Sequence, residues 1–548
     1  MKFDIVFLHP PSIYDFRERP MFPGPVAGTV HFTPVFTGIP IGLLSMTEYA
    51  DRLGYRTRIF NIGEYMITDR NFDFKKFIGE IESNFIGIDL HFCVHSQGAL
   101  RIAKICKEQK ENARVVLGGL TASKFSEELM RKYPFVDYVI KGEAEMPLIK
   151  LLEGREHGSI ENLVYRENDR IKASERRWIA EDLDEFDFTR LDLVTPKEHI
   201  TTLRSEVGVI KHWMTPVCRG CIFNCASCGG SKYAYADLFH RERPTFRSKE
   251  KIAEDLEKLS RQGIESVFLF MDMRMGGKKY WKPLINEIST NASGIKYLTL
   301  ELFTPADREF MSEIAKLNES IRVGLSISPE SGNDEVRANH GRHYTTENLM
   351  NTARLCRANG IGLGVFFMFG LGTQTEQSLE DTFNVIKRLV EVNEEPGSGP
   401  GVRAQYGSML LLDPGSLAFN DPEKYGYKLI FKNLEDYVRG MSSTSWTDWQ
   451  SFYTEKLSRR QFLQLPIDFR KKMIDYYHSK GMISDEQKEV EDKKHNINMI
   501  IMEELELISK LKNEKEKDNR YWSLYNALKN YNKGEISLLW RMKRKIGI

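Results

Sequence analysis

The sequence predicts an α/β chain in three parts: a doubly wound parallel sheet, a partial barrel of six β/α units, and a helical C-terminal domain. Three observations predict it. Short apolar strands alternate with helical segments over the first 150 or so residues. A second alternating series begins near Val207. From Ser484 the pattern gives way to charged helices. A chain of 548 residues is too long for one core. The expected parts are residues 1–155, a connector at 156–205, the barrel at 206–416 and the helical domain at 417–548.

The first strand is FDIVFL, Phe3–Leu8, apolar as a strand covered on both faces must be. IPIGLLSMTEYADRLG is a helix that stops at Gly54. RTRIFNI, FIGIDL, ARVVLGG and DYVIKG supply four more strands, with helices such as SQGALRIAKICKEQKE between them. Five strands in this alternation suggest a flavodoxin-like sheet, whose ligand lies beyond the carboxyl ends of the strands. The connector reads as a solvated linker, in which NLVYRENDRIKASERRW could form a small hairpin. The barrel strands are GVIKHWM, ESVFLFM, YLTLELF, RVGLSIS, GLGVFFMFG and AQYGSMLLL. Their chemistry belongs on loops at the C-terminal ends. An aromatic-rich, irregular stretch follows to about residue 480, then helices.

Charges nearly cancel, 78 Lys+Arg against 77 Asp+Glu, so no global field draws the chain to nucleic acid or to a membrane. MKFDIVFLHPPS lacks the pattern of a signal peptide, and no apolar run is long enough to span a bilayer. Basic LLWRMKRKIGI, with Trp540, reads as a last helix turn rather than a membrane contact. Seven cysteines, odd in number and mostly clustered, do not form a disulfide framework. A reducing cytoplasm and a metal site fit them better.

Cys218, Cys221, Cys225 and Cys228 follow the first barrel strand, in the pattern C-x2-C-x3-C-x2-C. Structural zinc would separate two CxxC knuckles by a dozen or more residues, so that two turns can close a tetrahedron. Close spacing suits iron–sulfur ligation, because a cubane spreads its irons. Cys221-x3-Cys225-x2-Cys228, entered by Arg219-Gly220, resembles the cluster motif of radical S-adenosylmethionine (SAM) enzymes. The resemblance implies that three thiolates hold a [4Fe–4S] cluster whose fourth iron binds SAM. SAM is then cleaved reductively to a 5′-deoxyadenosyl radical. Cys218 is expected to be a spare thiol. One departure is Ser227, where the superfamily usually has an aromatic residue beside the adenine.

The rest of the barrel is similar to the same superfamily. By that resemblance Gly229 and Gly230 after the cluster motif, Ser328 and Glu330 in GLSISPESGNDEVR, and Gly370 in GVFFMFGLGTQTEQSLEDT contact SAM. For Ser328 and Glu330 an ordinary strand-to-helix turn remains equally open. Asp272, in ESVFLFMDMRMGG, stands where many members carry a GGE-like element, and is the candidate catalytic residue.

HPPS, PIGLLSMTEYADRLGY, LGGLTAS and VDYVIKGEAEMPLIKLL resemble the cobalamin-binding domain of cobalamin-dependent radical SAM proteins. The resemblance places Pro10, Pro11, His91, Ser96, Gly118, Gly119, Gly142 and Glu143 around a cobalamin. The D-x-H-x-x-G motif of a protein-ligated cobalamin is absent after the first strand; Asp89-Leu90-His91 follows the third and lacks the glycine. Cobalamin is therefore expected to lack a histidine ligand. His95 reads as a cap-region histidine. The loop FRERPMFPGPVAGTVHFTPVFTG, the stretch FIGIDLHFCVHSQGAL and the large C-terminal domain are similar to an archaeal-type subfamily of unknown substrate.

Together these readings imply a cytoplasmic, oxygen-sensitive radical SAM enzyme that methylates an unactivated carbon. The alternative is ring formation, C–C coupling or rearrangement without methyl transfer. A zinc- or iron-stabilised binding protein without turnover is a third possibility. The expected partners are a small-molecule or lipid substrate and an electron donor such as ferredoxin or flavodoxin.

Overall fold

A computed structural model describes residues 1–24, 34–198, 201–205, 208–292 and 294–529. The basic segment Leu538–Ile548 lies outside these residues, as does part of the loop FRERPMFPGPVAGTVHFTPVFTG. Nineteen strands are described. The first eight, β1 (Lys2–His9), β2 (Thr57–Asn61), β3 (Glu82–Asp89), β4 (Arg114–Gly118), β5 (Tyr138–Ile140), β6 (Leu163–Glu167), β7 (Arg170–Ala173) and β8 (Val194–Thr195), form one sheet. Its order is β7-β6-β5-β4-β3-β1-β2-β8. The central β2-β1-β3-β4-β5 run is parallel and flavodoxin-like, with Ile5 level with Thr57 and Phe85. The order reverses beside β1, so a crevice opens past the ends of β1, β3, β4 and β5.

The connector is more ordered than a solvated linker, and the small hairpin that NLVYRENDRIKASERRW could form is present. β6 and β7 add an antiparallel hairpin to β5, and β8 caps the other edge by pairing with β2. Leu163, Val164 and Tyr165 are buried there. The segment is held because an unpaired edge would leave a row of backbone donors and acceptors open. β9 (Thr202–Ser205) then pairs antiparallel with β10 (Gly208–Pro216) and extends the second sheet.

That sheet runs β17-β16-β15-β14-β13-β10-β9. β10, β13 (Ser266–Phe270), β14 (Tyr297–Leu302), β15 (Arg322–Glu330), β16 (Gly362–Phe369) and β17 (Val402–Met409) are its six parallel strands. They are the six the sequence predicts. Along β14, β15 and β16 buried residues alternate with half-buried ones. Leu298, Leu300, Leu325, Ile327, Leu363 and Val365 form the packed face. Thr299, Glu301, Ser326 and Ser328 lie on the opposite face. Two short ribbons complete the strands: β11 (Cys218–Arg219) with β12 (Thr245–Phe246), and β18 (Tyr427–Leu429) with β19 (Phe452–Thr454).

The C-terminal part packs on both sheets. Its helix Arg459–Ser479 sets Phe469 against Phe369 of β16, ring centroids 5.0 Å apart. Helix Leu434–Met441 sets Tyr437 against Phe125 of the N-terminal domain. One continuous apolar core therefore runs from Ile5 to Tyr521. Among the described residues no helix is long and apolar enough to cross a membrane.

Candidate active site

The cysteine loop lies between β11 and the helix Lys232–Phe239, at the C-terminal mouth of the second sheet. It is fixed by its neighbours. Ala226 donates its N–H to the His340 carbonyl (3.0 Å), Asp413 to that of Ser227 (3.1 Å), and Ala418 to that of Ala226 (2.8 Å). Backbone amides also point at two of the sulfurs: Phe223 N–H at Cys221 Sγ (3.4 Å) and Gly230 N–H at Cys228 Sγ (3.3 Å). Such donors stabilise thiolates that ligate iron. Burial pushes Cys221 up to about 11 and Cys228 well above its ordinary range. Both would therefore ionise only with a metal's charge beside them. A tetrahedral zinc site holds its sulfurs about 3.8 Å apart. Among the described residues no three cysteine sulfurs lie within 4.8 Å of one another. Cys218 differs. It is buried on β11, and its thiol donates to the Gly220 carbonyl (3.7 Å).

Around this loop, Glu330 is buried with φ +67° at the end of β15. Burial alone would raise its pKa, but Arg342 (2.8 Å) and His340 (2.6 Å) outweigh that and hold it at about 2. Its carboxylate thus braces the loop that carries His340 and Arg342. Ser328 is half-buried on the free face of β15, where a polar ligand can reach it. Gly230 has only Cys228 Sγ and Tyr235 near its missing Cβ, at 3.6 and 3.7 Å, whereas a Cβ on Gly229 would meet Leu120 and Asp413 within 2.9 Å. Gly370 (φ +88°) packs under Phe462 of the C-terminal helix, 3.1 Å from a Cβ built there. Its lack of a side chain therefore admits a phenyl ring.

The candidate Asp272 is buried, and both of its oxygens are engaged. Oδ1 accepts from Arg274 Nε and from the Arg274 amide (both 2.9 Å); Oδ2 accepts from the Phe303 amide (2.8 Å) and Arg274 Nη2 (2.6 Å). It ties the end of β13 to the end of β14. The carboxylate that the sequence reading missed is Glu301, on the free face of β14. Burial raises its pKa, and Oε2 accepts the Met271 amide at 2.7 Å. Met271 has φ +71°, a strained value for a side-chain-bearing residue. The two-residue alternation of YLTLEL, Tyr297–Leu302, is the signal that could have found Glu301.

A cavity of about 610 Å³ reaches from the crevice of the first sheet to the mouth of the second. His91, Gly118, Gly119 and Gly142 line one side, and Cys218 and Met271 the other. Gly118 has nothing closer than the Ile140 carbonyl, 3.9 Å from a built Cβ, so its backbone faces open space. Gly119 (φ +105°) allows the turn after β4 to sit against His91, whose Cα would be 2.6 Å from a Cβ there. Burial lowers the His91 pKa from its ordinary value, and Asp89 opposes the shift. The apolar walls and bare glycine floor fit a flat macrocycle with an apolar appendage.

Three residues expected around the macrocycle do not line this cavity. Pro10 and Pro11 are buried, the Pro11 carbonyl 1.8 Å from a Cβ built on Gly98. Ser96 is fully buried and donates to the Cys93 carbonyl (2.6 Å). His95 is also fully buried, its Nε2 3.1 Å from the Phe36 carbonyl.

Glu143 lines the cavity but serves as a clamp. Its carboxylate takes Arg241 Nε (2.5 Å) and Nη2 (2.9 Å), Arg219 Nη1 (2.8 Å) and the Ala180 amide (3.0 Å). Glu145 takes Arg219 Nη2 at 2.6 Å. Arg219 is two residues before Cys221, so this network joins the first sheet directly to the cysteine loop.

Residues 215–386 match the radical SAM superfamily, and residues 29–152 match the B12 binding domain. An uncharacterized methyltransferase of Pyrococcus horikoshii is 26% identical over 64% of this chain and 74% of its own. The radical S-adenosylmethionine methyltransferase TsrM of Kitasatospora setae, solved with cobalamin and a [4Fe–4S] cluster bound, superposes with a TM-score of 0.56. It is 15% identical, over 79% of this chain and 84% of that one. The cobalamin-dependent S-adenosylmethionine radical enzyme OxsB superposes with a TM-score of 0.59 at 13% identity, over 97% of this chain and 80% of that one. At these identities the superpositions establish the fold.

Proposed function

We propose that this chain, which joins a B12-binding domain to a radical SAM domain and so belongs to the cobalamin-dependent radical SAM proteins, methylates an unactivated carbon. The two domains bring a [4Fe–4S] cluster, SAM and cobalamin; when bound, these supply a 5′-deoxyadenosyl radical and a transferable methyl group.

The observation that carries the reading is the single cavity shared by the glycine floor of the first sheet and the cysteine-loop side of the second. A substrate held there contacts both cofactors, as hydrogen abstraction and methyl capture at one carbon require. Cys221, Cys225 and Cys228 would hold the cluster. Cys218 stays a thiol, which leaves the fourth iron open. Ser328 and Glu301 offer polar contacts at the barrel mouth, and Gly118, Gly119 and Gly142 the seat for the corrin. Arg219, held by Glu143 and Glu145, fixes the distance between the two seats. Apolar walls exclude water from a carbon radical. The methyltransferase of Pyrococcus horikoshii supports the methyl-transfer reading.

The test is anaerobic turnover of the reconstituted chain, with SAM deuterated at its methyl group, on candidate substrates. A product heavier by one deuterated methyl group, formed together with 5′-deoxyadenosine, supports the reading. 5′-Deoxyadenosine with a product of unchanged or hydrogen-depleted mass overturns methylation in favour of rearrangement or ring formation.

A further inference from the structure

We propose that the substrate enters this site as a long hydrocarbon chain, the apolar part of a single lipid molecule, laid along the inner face of β10 and β13. The proposal rests on the reading above for the reaction and adds the class of molecule on which it acts.

Among the described residues four charged side chains line the cavity: Asp89, Glu143, Glu145 and Arg219. All four are committed to partners within the chain. Asp89 takes His9 Nδ1 (2.9 Å) on one oxygen and the His91 amide (3.0 Å) on the other. Glu143 and Glu145 share Arg219, and Arg241 completes Glu143. Burial favours the neutral forms of the His91 ring and of the Tyr235 phenol, which is pushed up to about 12. A charged substrate group would therefore be buried here without a counter-ion, which is strongly unfavourable. A hydrocarbon needs none.

The inner face of the second sheet continues this apolar wall. Met214 and Phe270 line the cavity. Phe268 is level with Met214 in the β10–β13 register, and its ring centroid is 6.5 Å from that of Phe270. Lower on the same face of β10, Ile210 pairs with Leu203 of β9. Met214 is 37% exposed and Leu203 43%, so the track is open to a ligand. His212, between Ile210 and Met214, turns Nδ1 to Ser266 Oγ (3.1 Å), and burial lowers its pKa, so this ring too is neutral. Among the described residues neither strand presents a charged side chain to this face. From Ile210 to Pro216 the track runs about 20 Å at the rise of a strand. Its width is one strand pair, which suits one chain rather than a membrane surface. The hydrogen-bonding groups Thr299, Glu301, Ser326 and Ser328 stand apart on β14 and β15. Gly324 of β15 leaves space beside them, since a Cβ there would meet only Thr299 Oγ1, at 3.8 Å. The polar half suits the charged amino-acid part of SAM, and the apolar half is left for the substrate.

The test titrates the reconstituted full chain, loaded with cluster, cobalamin and SAM but given no reductant, with hexanol, octanol and decanol by calorimetry. Affinity should rise about fourfold with each added methylene, the factor for taking one methylene out of water. Phe268→Glu sets a charge on the track and should cut decanol affinity at least about tenfold, with iron and cobalt contents at the parent level. Phe268→Ala adds no charge, should cut it several-fold, and serves where the Glu variant does not fold. Affinity that is flat across the series, or decanol binding that neither variant weakens, would overturn the proposal. The readout needs no turnover, so it separates from methylation. A steep series with no methyl group delivered to any chain supports the proposal and removes the methylation reading. A deuterated methyl group delivered to a charged, chain-free substrate, by protein with a flat series, leaves methylation standing and overturns the proposal.

Discussion

Glu143→Gln tests the junction between the two sheets. Glu143 is the carboxylate partner of Arg241, whose side chain is 1% exposed, and one of two partners of Arg219. Glutamine keeps the volume but removes the charge, and turns an amide N–H₂ toward guanidinium donors. Arg241 would keep the Ala180 carbonyl and Thr245 Oγ1 as acceptors, but no anion. Leaving a buried charge unpaired costs about 3–5 kcal/mol. With a denaturant slope of roughly 3 kcal/mol per molar, the urea midpoint falls by about 1 M. The double variant Glu143→Gln/Arg241→Met should recover much of the loss, because it removes the stranded charge.

The pH dependence has a definite sign. Burial works against Glu143 ionisation, but Arg219 and Arg241 prevail and its folded pKa is lowered. The contribution of its charge is therefore complete above the ordinary carboxylate range and disappears as pH falls through the lowered value. The Gln variant should lack that acid-side loss. A single variant that unfolds at the parent's midpoint, with an unchanged acid limb, would refute the clamp.

Three further outcomes are expected. Changing Cys221, Cys225 or Cys228 to Ala should each abolish cluster-bound iron in anaerobically reconstituted protein, whereas Cys218→Ala should keep about four irons per chain by metal analysis. Gly118→Val places methyl groups in the open part of the crevice. It should weaken cobalamin retention at least about tenfold, roughly 1.4 kcal/mol, with iron content unchanged. Asp272→Asn should lower stability by about 1–3 kcal/mol through its bonds to Arg274 and the Phe303 amide. The rate of 5′-deoxyadenosine formation per cluster should stay within about twofold of the parent; a hundredfold fall at unchanged stability would give Asp272 a direct role.

The parallel strands were legible because strands covered on both faces must be apolar, and the sequence carries that signal in FDIVFL and GLGVFFMFG. The cysteine spacing was legible because it is local. The β6–β7 hairpin was legible only as a possibility within a linker, and edge strand β8 was not legible, since nothing local announces the sheet edges that receive them. Long-range pairing explains the other differences. Asp272 read as catalytic until Arg274 and Phe303 took both of its oxygens. Glu143 lines the cavity as expected, but nothing local announces that Arg241, ninety-eight residues away, takes its carboxylate. Nothing local to Gly370 announces that Phe462 packs against it. Glu301 went unnoticed in a strand whose alternation already held the answer.

The most direct measurement is electron–nuclear double resonance on the reduced cluster, with SAM carrying ¹⁵N in its amino group. The account predicts a ¹⁵N coupling in the parent chain and in Cys218→Ala, because the sulfonium donor sits on the iron that no thiolate holds. A fully reduced cluster that shows no such coupling with SAM bound, or shows it only once Cys218 is removed, would contradict it.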